Sequence, residues 1–137
     1  MSISRKDYLL RLLEAFAEAL RRLADLKTRG RRQEALDLVR ETADRIFGSS
    51  LPLVDSMDPA SAADLLGEPE RLVMYARLVE EEAEISAMLG HHDRAGEGLL
   101  RARELLDERA SMSPPMDEET RRRMRLLERK VGLLYRK

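Results

Sequence analysis

The chain of 137 residues is 43% hydrophobic, 37% charged and only 4% aromatic, and its 25 Lys and Arg nearly balance 26 Asp and Glu. Plentiful apolar residues and a net charge of −1 exclude a disordered chain, and no apolar run approaches the roughly 20 residues of a membrane-spanning helix. With no cysteine there is neither a disulfide nor a thiolate zinc site, and no apolar leader follows Met1, so the expected location is the cytoplasm.

Abundant Leu, Ala, Arg and Glu with few β-branched residues predict a single all-α domain over residues 1–137. The first helix opens with Ser4 three residues before Asp7, a capping-box spacing, and with Ile3 and Tyr8 placed for a hydrophobic staple. Leu9, Leu13, Phe16, Leu20, Leu23 and Leu26 then recur at helical steps, while Leu10, Leu12 and Ala17 widen the apolar face. Gly30 ends this helix, and a second, carrying Ala35, Leu36, Val39, Ala43 and Ile46, folds back against it to complete a hairpin over 4–47.

Residues 48–68 form an insert. Gly48, Ser49, Ser50 and Pro52 read as a break, and Asp58-Pro59 opens one short helix that ends at Gly67. A second hairpin occupies 69–110: a long helix bearing Leu72, Ala76, Val79 and Ala83, a turn at Gly90, and a helix bearing Ala95, Leu99, Ala102 and Leu105. After the break at Ser111–Pro115 a capping helix spans 114–136, with the stripe Thr120, Met124, Leu127, Val131 and Leu134. Its acidic Glu118 and Glu119 and its basic Arg136 and Lys137 sit at the ends that the helix dipole favours.

The two hairpins share a pattern. Gly30 is followed five residues later by Ala35, and Gly90 by Ala95, with apolar Val39 and Leu99 four residues further on. Glycine makes the turn tight, and alanine lets the helix backbones approach. The spacing is similar to the glycine-and-alanine core of the tetratricopeptide repeat. Its two glycines stand 60 residues apart, against a period of about 34, so the insert would separate two repeat-like hairpins. The opening, Asp7-Tyr8-Leu9-Leu10-Arg11-Leu12-Leu13-Glu14 with Phe16, Ala19 and Leu20, also resembles a bacterial domain-of-unknown-function family of short tetratricopeptide-like proteins. Both resemblances imply a fold of antiparallel hairpins with an exposed inner face. By analogy that face would carry Leu20, Ala24, Lys27, Arg77, Glu80 and Glu84 and would bind a protein or peptide partner.

No catalytic, cofactor-binding or metal site is read from the residues. His91 and His92 point about 100° apart on a helix turn and cannot share one ion, so they read as part of a polar turn. Glu80-Glu81-Glu82 with Glu84 reads as a solvated face because consecutive helical side chains diverge. Gly96 and Gly98 fall inside a helix, where each costs about 1 kcal/mol; local fraying is preferred over close packing as their explanation. Lys27, Arg29, Arg31 and Arg32, with Arg121, Arg122, Arg123 and Arg125, are the basic clusters and the only support for nucleic-acid binding. Net charge runs +3, −8 and +4 over residues 1–48, 49–112 and 113–137, as it would if the terminal helices flanked an acidic central hairpin. The expectation is a non-enzymatic helical interaction module. Its partner is a protein or a second copy, since the wide apolar face of the first helix favours a homodimer unless the last helix covers it. Nucleic-acid binding is the alternative.

Overall fold

The computed structural model describes residues 4–135, and among them there is no strand. The chain is all-α: α1 (Arg5–Thr28), α2 (Arg32–Phe47), a 3-10 turn (Gly48–Ser50), α3 (Leu51–Ser56), α4 (Pro59–Leu66), α5 (Pro69–Met88), α6 (His92–Ala110) and α7 (Glu118–Leu134). No helix among the described residues is long and apolar enough to cross a membrane.

Local chemistry sets the ends of these helices. Ser4 Oγ accepts from the Asp7 N–H at 3.1 Å, as the capping spacing requires. The Ile3 side of the staple lies outside the described residues, as do Arg136 and Lys137. At Gly30 and Gly90 the backbone turns through φ 73° and 87°, where any residue with a Cβ is strained. Each glycine starts the same closure. The Arg31 N–H reaches back to the Leu26 carbonyl at 2.9 Å and the Gly30 N–H to Lys27 at 3.1 Å; His91 reaches Ser86 at 2.8 Å and Gly90 reaches Ala87 at 3.0 Å. Arg31 and His91, next in line, adopt nearly the same dihedrals, −86°/70° and −88°/69°. Ala35 and Ala95 then lie buried, 0% and 5% exposed, at the start of the returning helices.

The insert differs from expectation. Pro52 does not break the chain there but stands in the first turn of α3, where a missing N–H costs nothing. The insert thus holds two short helices rather than one. It is tied to the second hairpin by α6: Arg101 donates to the Val54 and Met57 carbonyls at 2.9 and 2.7 Å and to Tyr75 Oη at 3.1 Å. Tyr75 Oη donates in turn to Asp55 at 2.6 Å. Burial and that bond to a carboxylate push the phenol up to about 12. The Tyr75 ring meets Phe47 of α2 edge-on at 5.6 Å, so one aromatic pair joins both hairpins and the insert.

Packing follows chain order: α1 on α2, α2 on α5, α5 on α6 and α6 on α7, with α4 also against α6. The α5–α6 contact is the most extensive, and it explains Gly98. A Cβ there would stand 2.7 Å from Ala83 Cβ, so Gly98 permits close helix approach, and fraying is not its explanation. The last helix begins at Glu118, not 114, because Asp117 caps it by accepting from the Thr120 N–H at 2.8 Å. Its stripe is buried at Leu127 and Val131 but emerges at Leu134, which is 52% exposed.

The two glycines of α6 should separate cleanly on substitution. Gly96→Ala meets only ordinary contacts at 3.8 Å and should stabilise by up to about 1 kcal/mol through helix propensity. Gly98→Ala should lose about 1–3 kcal/mol through overpacking despite the same propensity gain. Ala83→Gly should recover much of that loss in the double variant, as measured by urea unfolding of all four proteins.

Candidate functional site

Three helices that do not follow one another in the chain line a common groove. Leu13, Phe16, Ala17 and Leu20 of α1 form one wall, Val73, Arg77 and Glu80 of α5 the floor, and Thr120 and Arg123 of α7 the other wall, around a cavity of about 300 Å³. A second cavity of about 330 Å³ continues along Leu13, Phe16 and Val73 to Pro69, Glu70, Arg109 and Pro115. Residue numbers rise in the same direction along all three helices: Leu13 lies with Val73 and Thr120, and Lys27 with Glu84 and Lys130. The three helices therefore run in the same sense. The α7 helix packs on α6 and leaves the apolar face of α1 incompletely covered. Ala17 is exposed and Leu13, Phe16 and Leu20 are half-buried.

One end of the groove is closed by charge. Glu80 and Glu81 are 4% and 3% exposed, which corrects the expectation of a solvated acidic face. Their carboxylates do diverge, yet cations meet each of them. Arg123 grips Glu80 with Nη2 at 3.0 Å and Nε at 3.3 Å, a fork that also offers geometric selectivity. Glu81 accepts from Lys27 Nζ at 2.7 Å and from Arg77 Nε at 3.1 Å. Glu84 lies between Lys130 at 2.7 Å and Lys27 at 3.4 Å. The remaining member of the run, Glu82, turns away to Arg40 of α2 at 3.4 Å. Lys27 and Arg123, both members of the basic clusters in the sequence, are thus structural cations.

The titration of these groups follows from burial set against pairing. Burial dominates at Glu80 and holds its carboxyl above the ordinary value, although Arg123 opposes it. At Glu84 burial acts the same way but is outweighed by Lys130 and Lys27, so that carboxyl lies below its ordinary value. Burial would lower Lys27, yet Glu81 and Glu84 raise it above the usual lysine value.

Of the six residues expected on the inner face, Leu20, Arg77 and Glu80 line the groove, and Lys27 and Glu84 belong to the ion network. Ala24 is exposed and joins neither. Sequence reasoning missed Glu81, Arg123 and Lys130 as members. The i,i+4 pair Arg77–Glu81 and the seven-residue step from Arg123 to Lys130 were the available signals. Arg109 offered none. The two histidines are exposed at the start of α6.

Removing one cation should reveal the network. Lys27→Met leaves Glu81 buried with Arg77 at 3.1 Å and Arg123 at 4.0 Å and should cost about 2–3 kcal/mol near neutral pH. A lowered Glu84 contributes stability above 4.5, its ordinary value, and loses it as pH falls through its lower native value. A raised Lys27 contributes below 10.5 and loses it as pH rises through its higher native value. The gap between parent and variant in denaturant unfolding should therefore be widest between these limits and narrow on both sides.

No family model matches the chain, and no curated protein and no solved structure is significantly similar to it.

Proposed function

We propose that this chain is a non-enzymatic helical interaction module that receives a protein segment in the groove between α1 and α7, in the manner of a short tetratricopeptide-like protein. The observation that supports this most is the incompletely covered apolar strip of Leu13, Phe16, Ala17 and Leu20 facing Val73 across an open cavity. An apolar groove with a few polar groups at its edge is how globular proteins take an amphipathic segment. The strip recurs at helical spacing, which suits the ridges of another helix. The repeated Gly-and-Ala turns support the repeat-like reading, since both hairpins close by the same hydrogen bonds. The basic clusters lend less to nucleic-acid binding, because Lys27 and Arg123 are already paired with carboxylates. Self-association is the form of this function in which the segment comes from a second copy.

A photo-crosslinking amino acid at Ala17, in the groove, and another at Glu41, on the exposed side of α2, should distinguish these readings in the native cell. The groove position should give a discrete protein adduct that the Glu41 position does not. Equal patterns, no adduct, or retention on DNA that falls steeply with salt would overturn the proposal. Light scattering of the purified chain, whose monomer mass is 15.7 kDa, reports the homodimer directly.

A further inference from the structure

Arg109, at the end of α6, is buried to 7% exposure. Its hydrogen bond is a long one, from Nη1 to the Met112 carbonyl at 3.5 Å. Among the described residues no carboxylate stands within 4 Å of it. The acid that feels its charge, Asp117, is engaged at 2.8 Å in capping α7. A guanidinium with little access to water and no carboxylate in contact is short of partners. This one borders the open groove beside Leu13, Phe16 and Val73, at the end away from the ion network. The other cations facing the groove, Arg77 and Arg123, each hold a buried glutamate. Glu70 and Asp117 line the same cavity without coming within 4 Å of Arg109, which is thus the groove cation whose N–H donors remain open.

Resting on the groove reading above, we propose that the occupant is an amphipathic helix of another protein whose Asp or Glu side chain pairs with Arg109. Its apolar residues pack on Leu13, Phe16 and Val73. A planar guanidinium with several free N–H donors suits a carboxylate. A helical occupant presents such an acid on the same face as apolar residues three and four positions away, and Leu13, Phe16 and Val73 line the same cavity as Arg109.

A displayed library of randomised helical peptides, selected on the full chain, supplies the probe. Selected peptides should combine apolar residues at helical spacing with one Asp or Glu, and Ala17→Arg should abolish their binding. Changing that acid to its amide should weaken binding about tenfold or more on the parent chain and hardly at all on Arg109→Met. Arg109→Met should fold as stably as the parent, because an apolar chain of similar length replaces an unpaired buried charge. Failure of that variant to fold would make Arg109 structural and overturn the inference. Peptides blocked by Ala17→Arg but indifferent to the acid would overturn it while leaving the groove reading intact. Binding that survives Ala17→Arg, or no selected peptide, would end both. A dimer in light scattering that Ala17→Arg dissociates and Arg109→Met does not would make the occupant a second copy and overturn the acidic partner.

Discussion

Two carboxylates buried on α5 govern the arrangement of this molecule. Glu80 and Glu81 cannot remain ionised in a buried position without cations, and α5 itself provides only Arg77 nearby. The rest come from the two ends of the chain, Lys27 from α1 and Arg123 from α7, with Lys130 added at Glu84. Each terminal helix packs its backbone elsewhere, α1 on α2 and α7 on α6. Their relation to α5 is therefore set at the length of a lysine or arginine side chain. Such a network is weak evidence for stability, because desolvation offsets much of the attraction. What it specifies is position: three helices kept in parallel sense, apart from one another.

That separation produces the groove. Closer approach of α1 to α5 would have buried Leu13, Phe16 and Leu20 fully instead of leaving them half-buried. Bridged by long charged side chains, the helices leave an opening whose walls are apolar at one end and ionic at the other. The contrast with α6 is instructive. There Gly98 and Ala83 remove side-chain bulk from the contact, and the helices close on each other. Small residues and long charged ones on two faces of α5 thus decide which neighbour comes near and which is held off.

The insert strengthens the closed side. Arg101 adds a second bond to the Val54 carbonyl of α3 and satisfies that of Met57 just beyond it, and Tyr75 links that helix end to α5 and α2. An interaction surface gains from this rigidity, since a preorganised groove loses less entropy on taking a segment. The polar groups of the fold divide accordingly into those already paired, which hold the frame, and Arg109, which borders the open end.

Much of this was legible in the residues themselves. Helical periodicity, Ser4, Asp58 and the glycines at 30 and 90 mark five long helices, the short α4 and both hairpin turns, because caps and left-handed turns depend on the residues at one place in the chain. The charge blocks allowed either basic terminal helices flanking an acidic centre or steering of self-association, since charges of opposite sign must meet somewhere when so many are present. The tertiary structure alone decided which of the consecutive glutamates are buried, that Gly98 serves a helix contact, and that the final helix leaves the face of α1 open. The buried glutamates depend on cations 43 to 57 residues away in sequence and Gly98 on Ala83 of the facing helix, and helical spacing cannot report the identity of a neighbour that the fold brings from another element.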